Sequence, residues 1–173
     1  MGRGLTLRAA EAADAEALAA VYAHHVLHGF GTFEEVPPDA AEMARRLERV
    51  RAAELPYLLA EVDGAVAGYA YAGPYNPRSG YRFTAEDTVY VANGFEGRGI
   101  GRALLGAVLE ACAARGVLRM VAAIGDSENA ASIGLHRALG FEPAGVLRAV
   151  GFKGGRWLDV VWMQRSLEPP ARR

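Results

Sequence analysis

The segment Gly97-Arg98-Gly99-Ile100-Gly101 places three glycines between a stretch of alternating residues and an apolar stretch with helical spacing. Glycines at such a junction let the backbone bend sharply and approach a ligand closely. The first N–H groups of a helix have no partner inside it, and with the helix dipole they favour negative charge. The segment therefore predicts a strand–turn–helix site for an anion such as a phosphate. A tight turn without a ligand would show the same pattern, so the segment alone leaves both interpretations open.

Two common nucleotide-binding motifs do not match this turn. The dinucleotide-binding fingerprint has the spacing Gly-x-Gly-x-x-Gly and lies early in a β-α-β unit. Here the glycines are two residues apart and lie beyond the middle of the chain. The P-loop requires Gly-Lys-Ser/Thr, which does not follow. The turn therefore indicates another class of phosphate-binding fold.

The spacing of apolar residues predicts the order β-α-α-β-β-β-α-β-α-β-β, which describes one mixed α/β (α+β) domain. The predicted strands cover residues 5–8, 57–62, 65–72, 82–91, 117–124 and a hairpin within 145–167 that turns at Gly154-Gly155. The first two predicted helices begin after Asp14 and Asp39 as N-caps, and the others cover residues 98–115 and 129–139. Asp63-Gly64 is a two-residue hairpin signal. Residues 117–124 are nearly all apolar, which predicts a parallel strand buried on both faces.

Composition argues against several classes of protein. The net charge of −1 provides no basic surface for nucleic acid, and no apolar run approaches the ~20 residues of a membrane-spanning helix. The one cysteine, Cys112, cannot form an intrachain disulfide and fits a cytoplasmic location. We expect one domain over residues 1–173, with a folded core at about 5–167 and a disordered tail at 168–173.

Several polar clusters fit structural roles. His24 and His25 are adjacent on a predicted helix, so they face different directions and do not form an i, i+4 metal pair. We therefore expect no metal site. On the second predicted helix, arginines alternate with glutamates, and we expect a solvated mixed-charge face. Its arginines are Arg45, Arg46, Arg49 and Arg51.

Residues 84–91, the turn 97–102 and the helix 129–139 together resemble the GNAT acetyltransferase superfamily. Residues 32–35, 68–74, 81–86 and 153–160 make the chain similar to the phosphinothricin and methionine sulfone N-acetyltransferases within it. The resemblance spans about residues 5–167. It implies a central, mostly antiparallel twisted sheet that splays between strands 4 and 5 and is flanked by helices. It also implies a homodimer and a role in resistance to phosphinothricin-like herbicides and antibiotics.

The resemblance implies acetyl-CoA as the cosubstrate, with the pantetheine arm along the fourth strand and the pyrophosphate at the glycine turn. The cofactor-binding residues it implies are Val89, Tyr90, Val91, Gly97, Arg98, Gly99, Ile100, Gly101, Arg102, Asn129 and Ser132. Glu96 departs from the superfamily pattern, which usually has Gln or Arg there. An acid beside a pyrophosphate is electrostatically unfavourable, although Arg98 and Arg102 can compensate.

Direct acetyl transfer to an amine requires a general base, because an alkylammonium group has no lone pair. Glu86 precedes the implied cofactor segment closely, and the resemblance favours it as the base. Strand alternation sends Asp87 to the opposite face, where we expect a solvent-exposed carboxylate. His136 is the second catalytic candidate, as a proton donor to the CoA thiolate or as an orienter of water. A purely structural histidine is equally compatible with the pattern.

The resemblance implies a small zwitterionic substrate with an α-amine and a phosphinate, sulfone or sulfoximine group. The substrate-binding residues we expect are Thr32, Phe33, Tyr75, Arg82 and Lys153. Two alternatives stay open at this point. One is an acetyltransferase that modifies protein or peptide amines, and the other is a non-catalytic acyl-CoA-binding sensor.

Overall fold

The computed structural model describes residues 4–167, so the predicted disordered tail at 168–173 lies outside the described residues. Across these residues, seven strands form one sheet with the order β1-β2-β3-β4-β5-β7-β6. The strands are β1 (Leu5–Ala9), β2 (Tyr57–Val62), β3 (Ala65–Pro74), β4 (Thr84–Val91), β5 (Arg119–Gly125), β6 (Glu142–Lys153) and β7 (Arg156–Ser166). The helices are α1 (Ala15–His28), α2 (Ala40–Ala52), α3 (Ile100–Ala114) and α4 (Ala130–Ala138), and short 3-10 turns cover Ala12–Asp14 and Ser79–Tyr81.

The β4–β5 pair is parallel, whereas the other neighbouring strands are antiparallel. Its pairing covers only residues 84–86 of β4 and 119–121 of β5. Beyond Glu86, β4 continues to Val91 while paired with β3 alone. The two strands therefore diverge and leave a wedge-shaped gap between their carboxyl ends. This confirms the predicted mixed fold with a splay between strands 4 and 5.

Two apolar clusters cover the two faces of the sheet. The apolar face of α3, including the fully buried Leu104 and Val108, packs on one face. Helices α1 and α2 cover the other face, where Leu18 and Leu47 pack with Tyr69 of β3. Since successive strand residues point to opposite faces, alternate residues of β3 and β4 enter different clusters. Helices therefore pack on both faces of the sheet beside the gap between β4 and β5.

Two local predictions are confirmed by backbone and cap geometry. The carboxylate of Asp39 accepts a hydrogen bond from the Glu42 N–H at 2.8 Å, which caps α2. Asp63 and Gly64 have φ values of 50° and 82°, as a type I′ hairpin turn requires. Both features depend only on residues close in sequence.

Two other local predictions are wrong. The Asp14 carboxylate does not cap α1, because it accepts hydrogen bonds from the Arg8 guanidinium at 2.7 and 2.8 Å and from the Glu11 N–H. Strand β5 is not buried on both faces, since Ala123 is exposed between the buried Ala122 and Ile124. The splay explains this difference, because one face of β5 borders the gap rather than the core.

Strand β6 forms an edge of the sheet, and most of its residues are exposed on both faces. Large apolar side chains lie on it and on the adjoining β7, and we refer to them as the β6 patch: Val146, Leu147, Val150, Phe152 and Trp157. An exposed apolar edge strand is a common site of association between chains.

None of the helices in the described part of the chain combines the length and apolarity that a membrane crossing requires.

Candidate active site

One cavity of about 860 Å³ connects the glycine turn, the gap between β4 and β5, and a tyrosine-rich region beneath α1 and α2. Its volume lies within the range of roughly 300–1,000 Å³ that is usual for small-molecule sites. Glu86 lines it near the point where β4 and β5 separate. The structure therefore joins the predicted anion site and the predicted general base in one space.

The glycine turn has a left-handed backbone with open space beside it. Gly97 and Gly99 have φ values of 73° and 79°, in the left-handed region that disfavours other residues. Nothing lies within 4 Å of the position that a Cβ atom would take on either glycine. Helix α3 begins immediately after, and Gly101 and Arg102 in its first turn also line the cavity. Open space that could hold a phosphate group therefore lies beside the turn and the first residues of α3, whose N–H groups have no partner inside the helix.

Of the other residues at the turn, Arg98 and Ile100 do not line the cavity, whereas Glu96 does. The Ile100 side chain is buried in the core, and the Arg98 guanidinium lies over the Phe95 ring at 5.1 Å. Glu96 lines the cavity, and its carboxylate accepts a hydrogen bond from the Gly94 N–H at 2.7 Å. Hydrogen bonds from its own N–H and that of Gly94 lower the pKa of Glu96, so a negative charge persists there.

The two sides of the gap carry the other predicted cofactor residues. Val89, Tyr90 and Val91 line it from β4, and Asn129 and Ser132 line it from the start of α4. The Asn129 Oδ1 atom accepts a hydrogen bond from the Ser132 N–H at 3.1 Å, which caps α4.

His25 is a neighbour of this gap that the sequence analysis missed. Its Nε2 atom lies 2.8 Å from the Val91 carbonyl oxygen and donates to it, because a carbonyl oxygen only accepts. Burial lowers the pKa of His25, which favours a neutral ring. A contact between residues 25 and 91 leaves no local sequence signal, because it depends on how α1 packs on the sheet.

The Glu86 carboxyl is partly buried and has no hydrogen-bonding or charged side-chain partner within residues 4–167. Burial raises the pKa of Glu86, and the nearby Asp87 raises it further. A carboxylate with a raised pKa and a free edge toward a cavity is suited to accept a proton near neutral pH.

Asp87 is not solvent-exposed, contrary to the sequence prediction. It is 7% exposed, and its Oδ1 atom lies 2.9 Å from Nε2 of His136, which is 2% exposed. The His136 Nδ1 atom lies 2.7 Å from the Ser132 carbonyl oxygen. Alternation correctly sent Asp87 to the face opposite Glu86, but it could not reveal a partner 49 residues away.

The charges of this buried pair depend on each other. Burial raises the pKa of Asp87 against the opposing effect of His136. Burial lowers the pKa of His136, but the hydrogen bond to Asp87 and its charge raise it above the usual value overall. Both groups therefore have pKa values above their ordinary ones, which favours a proton shared between the Asp87 Oδ1 and the His136 Nε2 atoms. Asp87 and His136 both line the cavity, but each ring nitrogen of His136 already has a hydrogen-bond partner in the protein.

Of the five predicted substrate residues, only Thr32 lines the cavity. The buried Lys153 ammonium donates to the carbonyl oxygens of Gly29 and Thr32, both at 2.8 Å, and so holds their loop. Burial lowers the pKa of Lys153. Its charge is therefore directed at the protein backbone rather than at the cavity.

The structure places the other three predicted substrate residues away from the cavity lining. Arg82 is exposed and donates to the Ser79 carbonyl oxygen. Tyr75 packs edge-on against neighbouring aromatic rings. Phe33 packs over Gly151 of β6, where an added Cβ would lie within 2.2 Å of its ring.

The far end of the cavity contains Glu34 and Arg46, and the charge pattern of α2 had assigned Arg46 to solvent. Arg46 is only partly exposed, and its guanidinium donates to both oxygens of Glu34 at 2.7 and 3.1 Å. The Tyr22 hydroxyl donates to Glu34 at 3.0 Å and lies 2.7 Å from the Thr32 hydroxyl. The prediction of a fully solvated face on α2 is therefore wrong for Arg46.

Stacked tyrosines complete this end. The Tyr57 and Tyr71 rings lie 4.7 Å apart on adjacent strands, with Tyr69 beside them. Among the described residues, nothing hydrogen-bonds to the buried Tyr57 hydroxyl. Alternating tyrosines in the sequence of β2 and β3 were the available signal for this aromatic surface.

Among residues 4–167, the structure groups no three His, Cys, Asp or Glu side chains in a metal-binding arrangement. The only cysteine in the sequence, Cys112, is buried, and burial raises the pKa of its thiol to about 12.

Comparisons with known proteins agree with this architecture. The model of the acetyltransferase (GNAT) domain family matches residues 7–162. Phosphinothricin N-acetyltransferase of Alcaligenes faecalis is 53% identical over 162 residues, which cover 94% of this chain and 82% of the relative.

Two crystal structures are also similar. One is a GNAT superfamily phosphinothricin acetyltransferase from Sinorhizobium meliloti in complex with acetyl-CoA, with a TM-score of 0.92, 45% identity, and coverage of 98% of this chain and 92% of that chain. The other is a ribosomal-protein-alanine N-acetyltransferase from Brucella melitensis, with a TM-score of 0.90, 42% identity, and coverage of 94% and 99%.

The splayed sheet and the glycine turn at the start of α3 define an acyltransferase of the kind that the sequence resemblance implied. The chain belongs to the GNAT acetyltransferase family. Its predicted relation to the phosphinothricin N-acetyltransferases is confirmed.

Proposed function

We propose that this protein transfers the acetyl group of acetyl-CoA to the primary amine of a small amino-acid-like substrate, of the phosphinothricin or methionine sulfone and sulfoximine type. The observation that carries the proposal is the single cavity that joins the glycine turn, the unpaired edge of β4 and the Glu86 carboxylate. The named activities of the relatives support both the cosubstrate and the substrate class. Acetylation of phosphinothricin-like compounds would confer resistance to them.

The proposed position of acetyl-CoA follows the shape of the cavity. The pyrophosphate would accept hydrogen bonds from the N–H groups of residues 97–102, where the space beside Gly97 and Gly99 is open. The pantetheine arm would lie along residues 89–91, opposite Asn129 and Ser132. The thioester would then lie at the level of Glu86. Acetyl-CoA, when bound, supplies the acetyl group as a thioester, and the CoA thiolate is the leaving group.

Glu86 acts as the general base in this proposal. Its carboxylate removes a proton from the substrate ammonium, and the freed nitrogen lone pair attacks the thioester carbonyl. After the attack the nitrogen still carries two hydrogens. When the C–S bond breaks, one of these protons passes to the departing CoA sulfur, directly or through a water, which leaves the amide and the CoA thiol, and the proton on Glu86 is released to solvent. Burial raises the pKa of Glu86, which makes its carboxylate a stronger base for this step.

The substrate end of the cavity differs from the sequence prediction. We propose that Thr32, Tyr57, Tyr71 and Arg46 contact the substrate, because these side chains line the cavity beyond Glu86. We propose that Lys153 acts indirectly, by holding the loop that carries Thr32.

A second candidate function is acetylation of a peptide N-terminus. It is favoured by the similarity to the ribosomal-protein-alanine N-acetyltransferase from Brucella melitensis. The tyrosine-lined end of the cavity and its volume of about 860 Å³ favour a small molecule instead. A location in the cytoplasm is also proposed, because the one cysteine, Cys112, is a free thiol.

The substrate class can be tested with a panel of amines. We expect release of CoA, followed with a thiol reagent, in the presence of phosphinothricin, methionine sulfone or methionine sulfoximine. We expect slower release with unmodified amino acids and with a peptide that begins with alanine. Fastest turnover of the peptide would favour the second candidate. Binding of acetyl-CoA without turnover of any amine would indicate a non-catalytic acyl-CoA sensor.

The role of Glu86 can be tested by Glu86→Gln. Because Gln cannot accept the ammonium proton, we expect kcat/KM to fall by about 100-fold or more. In the unchanged enzyme, kcat/KM should fall as the pH decreases through the raised pKa of Glu86, above the usual glutamate value of about 4.3. The variant should lack this acidic limb. Glu110→Gln, at an exposed position on α3, is the control and should behave like the unchanged enzyme. A normal rate and acidic limb in Glu86→Gln would exclude the base role.

The charge of Glu96 should weaken cofactor binding. We expect Glu96→Gln to bind acetyl-CoA about 2- to 5-fold more tightly by calorimetry, because it removes an exposed negative charge from the anion site. Gln can still accept the hydrogen bond from the Gly94 N–H, so this variant separates charge from loop structure. Glu96→Arg adds a positive charge and should bind at least as tightly. Equal or weaker binding by both variants would contradict the electrostatic argument.

We propose a homodimer that buries the β6 patch. Light scattering should give twice the 18.4 kDa mass of one chain. Val150→Asp places a charge in the patch and should shift the protein to monomer at micromolar concentration, whereas Leu27→Asp, at an exposed site on α1, should leave the dimer intact. A mass of one chain for the unchanged protein at all concentrations would refute the dimer.

A further inference from the structure

The Asp87–His136 pair lies where the gap between β4 and β5 begins. Glu86 is the last residue of β4 that pairs with β5, so Asp87 is the first residue of β4 beyond that pairing. His136 belongs to α4, which follows β5 in the chain. The 2.9 Å contact between Asp87 and His136 therefore joins the two sides of the gap where they begin to separate.

Both ends of this contact are held by backbone structure. The Ser132 carbonyl oxygen only accepts, so the Nδ1 atom of His136 carries a hydrogen and the ring orientation is set. Phe141 packs edge-on against the same ring at 4.9 Å. On the other side, Asp87 lies in register with Ala72 of β3. The contact thus joins a strand that is paired with β3 to a helix whose backbone orients the His136 ring.

The shared proton preserves the contact in either charge arrangement. Nε2 can donate to an ionised Asp87, or a protonated Asp87 can donate to Nε2. In the part of the chain that the structure describes, the second Asp87 oxygen, Oδ2, has no hydrogen-bond partner. His136 is therefore the main polar partner of this buried carboxyl, and its loss would leave a buried polar group unpaired.

We infer that the Asp87–His136 pair sets the width of the acetyl-CoA gap by tying β4 to α4. Both are positioning residues. Their effect reaches the cofactor through Asn129 and Ser132, which line the gap from the first turn of the same helix. The inference rests on the proposed binding of acetyl-CoA, and it departs from the expectation that His136 donates a proton to the CoA thiolate.

The test compares variants that break the contact with one that keeps it. Asp87→Ala and His136→Ala remove it. Asp87→Asn retains it without charge, because the Asn amide can donate to the Nε2 lone pair of a neutral His136. We expect the acetyl-CoA Kd, measured by calorimetry, to rise about 10-fold in both alanine variants and to stay within about 3-fold in Asp87→Asn. At saturating acetyl-CoA, kcat should change much less than Kd in His136→Ala.

Hydrogen exchange provides a readout that does not depend on the cofactor. In the alanine variants, amide exchange should become faster in residues 129–136 and in β4 beyond Glu86, and Asp87→Asn should resemble the unchanged protein. Asp87→Ser, whose side chain is too short to reach His136, serves in place of Asp87→Ala if that variant does not fold. Asp87→Asn should also move the acidic limb of kcat/KM to lower pH, because Asp87 contributes to the raised pKa of Glu86.

Two results would overturn the inference. One is unchanged Kd and unchanged exchange in the variants that break the contact. The other is a large fall in kcat for His136→Ala, with an unchanged acetyl-CoA Kd and loss of any decline in rate at high pH. That result would identify His136 as a proton donor. Absence of acetyl-CoA binding by the unchanged protein would refute the proposed function instead, and the exchange data would still decide whether the pair ties β4 to α4.

Discussion

The separation of β4 and β5 beyond residues 86 and 121 is the constraint on which the rest of the structure depends. A continuous sheet would satisfy the backbone of β4 on both sides and leave no space for a ligand. Because the pairing stops, the strand that carries Glu86 and residues 89–91 presents an unpaired edge to an internal cavity. The glycine turn then continues from the same strand and places the start of α3 at the opening of that cavity. Anion site, strand edge and carboxylate are thus consecutive parts of one chain segment.

Burial assigns different properties to two adjacent carboxyls. Glu86 faces the cavity without a side-chain partner in the described residues, and its pKa is raised mainly by desolvation. Asp87 faces the opposite side, where His136 shares a proton with it. Alternation along the strand separates the two groups, so one is available to a substrate while the other contributes to the framework of the gap. The same division recurs at the substrate end, where Lys153 holds a backbone loop and Arg46 is paired with Glu34.

Features that depend on neighbouring residues could be predicted from the sequence. The Asp39 cap, the Asp63-Gly64 hairpin and the order of the elements were predicted because the interacting groups lie within a few residues of each other. The family resemblance also implied the splay. Predictions failed where a group of another element competed for a side chain. Asp14 pairs with Arg8 of β1 rather than with the start of α1, and Lys153 reaches across 121 residues to the carbonyl of Thr32.

The sequence by itself determined the class of fold, the position of the glycine turn and the separation of Glu86 and Asp87 onto opposite faces of β4, because helical and strand periodicity and the conformational freedom of glycine are local properties. Only the tertiary structure decided which charged groups are buried and what they contact. Asp87 was expected in solvent and is paired with His136, whereas Arg82 was expected at the substrate and lies on the surface. Burial and pairing arise when elements distant in sequence pack together, and a one-dimensional pattern contains no measure of the distance between them.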